Sequence, residues 1–271
     1  MSVVPLPLPA LTELELGEGE AALWWLGQSS FLLRLAGATV FVDPFLATHP
    51  ERLVPPPFAP EEATEIDVVA ITHDHLDHLD DKSLPGIAAA SPDAAVVAPA
   101  TALERLRALG VDDPIGLRPD EPLRLGALTI HPLPACHGDS AGDAYTLGGG
   151  RFLGYVFDGA GVRIYHAGDT IPFDGLAERL RALRPDVALL PINGRDAQRE
   201  ALGIVGNLDE RDAVELAAAA GVDLLVPMHY DMFAANPGSP GTLVELARVH
   251  YPELAVLVLS RRRPFVYRRP A

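Results

Sequence analysis

Nine consecutive residues, Thr72 to Asp80, read Thr-His-Asp-His-Leu-Asp-His-Leu-Asp. Within them His73, His75, Asp77 and His78 form an H-x-H-x-D-H cluster, directly after the apolar run Ile66 to Ile71. The chain has 9 histidines in 271 residues, and three fall in this cluster. Packing gives no reason for that density, whereas a metal ion does. Imidazole and carboxylate together suit zinc, manganese or iron, and a strand-to-loop position leaves the side chains free to converge. The competing account is a solvated acidic turn whose histidines are incidental.

The cluster needs elements to hold it, and three segments of similar design supply them. Asp67 to Ile71 delivers Thr72 and His73; Asp186 to Leu190 delivers Asn193 and Arg195; Asp223 to Val226 delivers His229, Tyr230 and Asp231. Each is a short apolar run suited to a strand buried on both faces, with polar residues at its C-terminal end. The second and third follow helices expected over 175–183 and 209–220. Strands of this kind lie in sheets covered by helices, with chemistry at their carboxyl ends. Two hairpins, around Gly126 and around Asp158-Gly159, lead likewise to His137 and to His166-Ala167-Gly168-Asp169. Earlier strands are expected at 22–25, 31–35 and 39–42, the last ending at Asp43, which is either a supporting carboxylate or a turn-former. A helix over 102–109, capped by Thr101, follows a strand at 94–97. The tail adds a helix over 243–249 and strands near 254–259 and 264–267. Pro5, Pro7 and Pro9 mark an extended arm, and the proline-rich, aperiodic stretch 45–65 is a candidate substrate wall. No shift in composition marks a linker, so one domain over 1–271 is expected.

Composition removes several classes of function. The formal net charge of −16 argues against a general nucleic-acid or anionic-membrane binder. The single cysteine, Cys136, excludes an internal disulfide and fits a reducing compartment. The first residues lack the pattern of a secretory leader, and no apolar run approaches the ~20 residues needed to span a bilayer. A soluble cytoplasmic protein acting on a small molecule is the expectation, and self-association into a homo-oligomer is compatible with it.

Taken together, H-x-H-x-D-H, a lone His137, Gly168-Asp169 and a late His229 resemble the metallo-β-lactamase superfamily. Trp24-Trp25-Leu26-Gly27, His166-x-Gly168-Asp169 and Pro227-Met228-His229-Tyr230-Asp231 are similar to the UlaG-like branch, named for L-ascorbate-6-phosphate lactonase. The resemblance runs from Ala22 to Phe233. It implies an α+β fold, a four-layer αββα sandwich, with one or two divalent ions, Zn2+ or Mn2+. His73, His75 and His137 would hold the first ion, Asp77, His78 and His229 the second, and Asp169 both. Catalytic roles would fall to Asp77, Asp169 and His166, the last orienting Asp169 or a metal-bound group. Asn193, Arg195 and Tyr230 would contact substrate, with Arg195 and Arg199 able to clamp a phosphate or carboxylate. The implied activity is opening of a lactone or cyclic ester by a metal-bound hydroxide. Two alternatives stand beside it: a phosphodiesterase of the N-acylphosphatidylethanolamine phospholipase D type, and a metal-binding scaffold without turnover. The loops at 45–65 and 139–150 depart from the branch pattern, so the ascorbate-phosphate substrate is not carried over.

Overall fold

The computed structural model describes residues 9–139 and 145–270. The N-terminal arm therefore falls outside the described residues as far as residue 8, and Pro9 opens a short helix, α1 (Pro9–Thr12). Next come β1 (Glu20–Gly27), β2 (Ser30–Leu35), β3 (Ala38–Val42), β4 (Val68–Ala70), α2 (Leu84–Ala90), β5 (Ala95–Pro99), α3 (Leu103–Ala108) and β6 (Ile115–Leu117). The second half runs β7 (Leu123–Leu125), β8 (Leu128–Pro134), β9 (Leu153–Gly159), β10 (Val162–His166), α4 (Leu176–Leu183), β11 (Val187–Pro191), α5 (Ala197–Ala201), α6 (Glu210–Ala220), β12 (Leu224–Met228), α7 (Pro240–His250), β13 (Ala255–Val256) and β14 (Phe265–Arg268). Two seven-stranded sheets result, ordered β14-β1-β2-β3-β4-β5-β6 and β13-β12-β11-β10-β9-β8-β7.

The period-2 geometry of a strand explains how the sheets are layered. Along β1, Ala21, Leu23 and Trp25 enter one apolar cluster, and Ala22, Trp24 and Leu26 enter another. The first cluster also holds Leu133, Tyr155 and Phe157 of the second sheet, so it is the core between the sheets. The second cluster is closed by Leu84 and Ile87 of α2 and Leu106 of α3, which cover the outer face of the first sheet. Leu176 and Leu180 of α4, Val214 of α6 and Leu243 of α7 join the core from the second sheet's side. The architecture is the expected αββα sandwich. Each large aliphatic or aromatic side chain removed from water in this way contributes roughly 1.5–3 kcal/mol before chain entropy is charged against it.

The three look-alike segments do not share one sheet. β4 lies in the first sheet between β3 and β5, whereas β11 and β12 pair in parallel in the second. The end of β4 nevertheless docks on the second sheet, where Leu153 N–H and Tyr155 Oη of β9 donate to Thr72 O (3.0 Å) and Ile71 O (2.6 Å). Asp77 Oδ2, beyond β4, lies 3.4 Å from His229 Nε2, beyond β12.

Some local expectations are corrected. The β9–β10 turn is Ala160-Gly161, both with positive φ (51° and 75°), while Asp158 and Gly159 remain in the strand. Two positive φ values in succession match the hairpin turn that follows the sheet's twist. Thr101 does not cap α3; it lies in a 3-10 turn, Ala100–Ala102, and Ala102 holds the cap position with no side-chain bond. α6 starts where expected: Asp209 accepts from Asp212 N–H, Asp212 accepts from Asp209 N–H, and Gly221 ends the helix at φ 74°. Among the described residues, no helix is long and apolar enough to cross a membrane.

Candidate metal centre

Seven side chains from four strand ends converge. The loop after β4 brings His73, His75, Asp77 and His78; the ends of β8, β10 and β12 bring His137, Asp169 and His229. Three overlapping groups have ligand atoms within 4.8 Å of one another: His73, His75 and His137; His73, His78 and Asp169; Asp77, His78 and His229. Asp169 stands between them. Its Oδ1 lies 3.3 Å from His78 Nε2, and its Oδ2 lies 3.2 Å from His229 Nε2 and 3.7 Å from His137 Nε2.

The backbone is bent to make this possible. His229 has φ 58°, and its N–H donates to Gln28 O (3.0 Å), tying the end of β12 to the β1–β2 turn. Gly168 has φ 61°, and a Cβ there would stand 2.7 Å from Leu153 O and 2.9 Å from Thr72 Cβ. Only glycine lets the chain pass that closely while turning Asp169 inward. On the other side, Thr146 and His137 exchange two backbone hydrogen bonds (2.9 and 3.0 Å), which fix the end of β8.

Asp43 fixes the ring tautomers. Its Oδ2 accepts from His78 Nδ1 (2.7 Å) and Thr72 Oγ1 (2.7 Å), and its Oδ1 accepts from Thr72 N–H (2.7 Å). Because a carboxylate only accepts, the His78 proton sits on Nδ1 and Nε2 faces the cluster. Thr72 Oγ1 has given its hydrogen to Asp43, so it accepts from His73 Nδ1 (3.1 Å), and His73 Nε2 is likewise turned inward.

The outcome is a set of buried polar atoms that make no well-formed protein hydrogen bond: His73 Nε2, His137 Nδ1, and the facing pair His78 Nε2 and Asp169 Oδ1. Leaving such atoms unpaired costs roughly 1–3 kcal/mol each, so their convergence needs a reason. A cation bound by imidazole and carboxylate is one that fits the donor set. The electrostatics agree. Burial, reinforced by the neighbouring imidazoles, pushes His73 well below its ordinary value, and burial lowers His137 to about 4. Burial also opposes charge on His229 and His78, but Asp169 outweighs it, aided by Asp77 and, for His78, by Asp43. His229 rises to about 9, and His78 well above its ordinary value. Burial opposes charge on Asp169 as well, yet His229 and His78 hold it well below the carboxylate range. These carboxylates therefore draw positive charge to one small volume.

Other expected site residues are placed differently. His166 is fully buried, but its Nε2 donates to Ser29 O (2.8 Å) and its Nδ1 accepts from Gly168 N–H (3.2 Å). With both nitrogens bonded to backbone, it clamps the chain before Asp169 and does not enter the cluster. Arg195 donates to Asn207 O (2.9 Å) and Asp212 Oδ2 (2.7 Å), so its charge is spent at the start of α6 and not at the cluster. Arg199 is bound by Asp196 and Asn193 O. Asn193 is buried, its amide donating to Asn236 and accepting from Asn207. Tyr230 stacks on Trp25 with ring centroids 5.0 Å apart. The two rings line a cavity of about 520 Å³ together with Arg261 and residues 53–57 of the proline-rich stretch. None of the seven clustered residues lines that cavity; Tyr230, which follows His229 in the chain, does.

Three contributors are not apparent from the sequence. Gln28 Nε2 donates to Asp77 Oδ2 (2.7 Å). Asp139 Oδ1 accepts from His75 Nε2 (3.3 Å), while Arg151 links Asp139 to Asp74. Only the turn-forming position of Gln28 carries any signal, and it is generic.

Sandwich and centre together define a class. Residues 38–230 match the family model described as the β-lactamase superfamily domain, and the chain belongs to that superfamily. More narrowly, it is a metal-dependent hydrolase similar to the UPF0173 metal-dependent hydrolase of Rubrobacter xylanophilus, 30% identical over 246 residues, covering 89% of this chain and 95% of that one. A metallo-β-lactamase fold protein of Bacillus subtilis superposes with TM-score 0.68 at 16% identity, over 92% of this chain and 100% of that one. An isothiocyanate hydrolase from Delia radicum gut bacteria does so with TM-score 0.72 at 20% identity, over 91% and 99%.

Proposed function

We propose that this hydrolase opens a lactone or similar cyclic ester of a small molecule and is of the UlaG-like type. The observation that carries the chemistry is the set of seven His and Asp side chains whose ligand atoms lie within 4.8 Å of one another in overlapping groups. His73, His75 and His137 would hold one ion, Asp77, His78 and His229 a second, with Asp169 shared. A divalent ion in such a cluster supplies Lewis acidity, polarising a carbonyl oxygen and acidifying water at neutral pH.

The chain's own groups divide the remaining work. Asp77, 22% exposed at its side chain against 6% for Asp169, is the more accessible carboxylate and the one suited to accept and return a proton at Oδ1 or Oδ2. Asp169, 6% exposed, is suited to holding charge and not to exchanging protons with solvent. Asp43 keeps the His78 Nδ1 proton, and His166 keeps the backbone entering Asp169 in place. Tyr230, the residue after His229, and Trp25 offer a flat apolar wall for the part of the substrate that does not react. The arginine clamp expected for a phosphate or carboxylate lacks support, because Arg195 and Arg199 are both paired. A neutral or weakly charged lactone is therefore favoured.

The test strips the protein with a chelator and assays lactone, phosphodiester and isothiocyanate panels before and after addition of Zn2+ or Mn2+. Lactone opening is expected to vanish and return in the parent protein, and to stay absent in His229→Ala. Full turnover in the chelated sample would overturn the metal reading. Phosphodiester or isothiocyanate turnover with lactones untouched would overturn the substrate class.

A further inference from the structure

The β1–β2 turn inserts one side chain into the cluster that the seven-residue pattern does not contain. Gln28 is 2% exposed and holds φ 53°, a left-handed conformation that a long side chain adopts only under constraint. Two bonds to its main-chain carbonyl impose it: the His229 N–H donates at 3.0 Å and Trp25 Nε1 at 2.9 Å. The side chain is thereby aimed at the pair Asp77 and His229.

The tip of that side chain has the spacing of a ligand. Its carboxamide nitrogen lies 2.7 Å from Asp77 Oδ2, 3.0 Å from His229 Nε2 and 3.3 Å from His229 Nδ1, and Asp77 Oδ2 and His229 Nε2 are 3.4 Å apart. Donor atoms ~2.0–2.2 Å from one cation stand roughly 2.8–3.6 Å from each other in octahedral or tetrahedral arrangements. The triangle Gln28, Asp77 and His229 has edges close to that range. An unrelated glutamine hydrogen-bonded to a carboxylate would need to satisfy only one of these distances.

We propose that Gln28 is a ligand of the second ion through Oε1, joining Asp77, His78, His229 and Asp169. This rests on the two-ion reading given above. The amide nitrogen has no lone pair to give a metal, so the carboxamide presents its oxygen by a half-turn about its last torsion. Donation from Nε2 to Asp77 is the orientation that suits a carboxylate alone, and Oε1 facing inward is the one that suits a cation. A neutral oxygen added to this set raises the coordination number without adding charge. That favours an ion such as Mn2+ or Fe2+, which accepts five or six ligands, over tetrahedral Zn2+ at this position.

The experiment titrates Co2+ into the chelator-stripped full-length protein, reading absorption and bound metal per chain. In the parent protein two ions are expected, the second with the weak absorption of five- or six-coordinate cobalt. Gln28→Asn keeps an amide and a residue that tolerates left-handed backbone, but it is one methylene too short to reach. It is expected to leave the first ion unchanged, weaken the second about 10–100-fold, and intensify its band as coordination falls. Gln28→Glu, which keeps an oxygen at full reach, is expected to restore the second ion. Parent-like affinity and spectrum in Gln28→Asn would overturn the inference, as would equal loss of the second ion in both variants. Should Gln28→Asn fail to fold, Gln28→Glu carries the test alone: tighter second-ion binding supports ligation, and unchanged binding overturns it. A parent protein that binds no ion would instead overturn the metal reading itself.

Discussion

His78 and His75 stand three residues apart on one loop, yet the protein supports them in opposite ways. His78 is wholly buried, and its Nδ1 meets an equally buried carboxylate, Asp43, at 2.7 Å. The side chain of His75 is 28% exposed, and its Nε2 meets Asp139, itself 48% exposed, at 3.3 Å. The first support is dry and shared with Thr72; the second reaches the surface through Arg151 and Asp74. Water can replace Asp139, whereas nothing can replace Asp43. The inner support thus belongs to the fold, and the outer one only aims a ring.

Removing the inner support should have the larger effect. Asp43→Ala strands the Thr72 N–H, the Thr72 hydroxyl and the His78 Nδ1–H in a volume closed to water. Breaking one partner of a buried charged pair costs roughly 3–5 kcal/mol. In a chain of this size that corresponds to a fall of ~6–20 °C in the melting temperature of the metal-free protein. Urea unfolding of the chelated variant measures it directly. A loss under about 1 kcal/mol would show that the inner support is no stronger than a surface pair.

That contrast also governs what is legible in the amino-acid sequence. The seven clustered residues are legible because each closes or follows an apolar run, and a polar residue just beyond a buried strand must lie at the sheet rim. Asp43 carries half of that signal, since a carboxylate before Pro44 also reads as a turn. The same signal misplaces the Arg195 guanidinium, and for His166 it points to a role near Asp169 without showing that the ring acts through backbone. In His166 both nitrogens turn to backbone, and Arg195 finds Asp212 at the next helix. Strand position fixes the rim but not the direction of a ring or guanidinium. Gln28, Asp139 and Arg151 are illegible for another reason. Gln28 meets Asp77 across 49 positions, a contact set by the order of β1 to β4 within the first sheet, and His75 meets Asp139 across 64, which requires the two sheets to face each other.

The seam between the two supports is Gly168, and substituting it tests whether the sheets must approach as closely as they do. In Gly168→Ala the new Cβ meets Leu153 O and Thr72 Cβ, and φ 61° disfavours any L side chain. The positive φ alone is expected to cost ~1–3 kcal/mol, less than Asp43→Ala, and the contact with Leu153 O is relieved only by moving backbone. The shift carries Asp169 with it, so metal affinity should fall alongside the melting temperature. Unchanged affinity with lowered stability would show that Asp169 tolerates displacement.

The outer support should give the smallest effect and of a different kind. In Asp139→Ala the Arg151 guanidinium keeps Asp74, and the His75 ring keeps its contacts with His73, His137 and Phe152. Exposed pairs of this sort contribute about 0.2–1 kcal/mol, so the melting temperature should move by no more than ~4 °C. Losing the partner that orients His75 should still weaken metal binding by roughly 10-fold or more. Isothermal titration of the stripped variant with Zn2+ separates the two quantities. If Asp139→Ala cost as much stability as Asp43→Ala, exposure would not be what distinguishes the two histidines. If it changed neither stability nor affinity, Asp139 would be a surface partner of Arg151 with no bearing on the ring it touches.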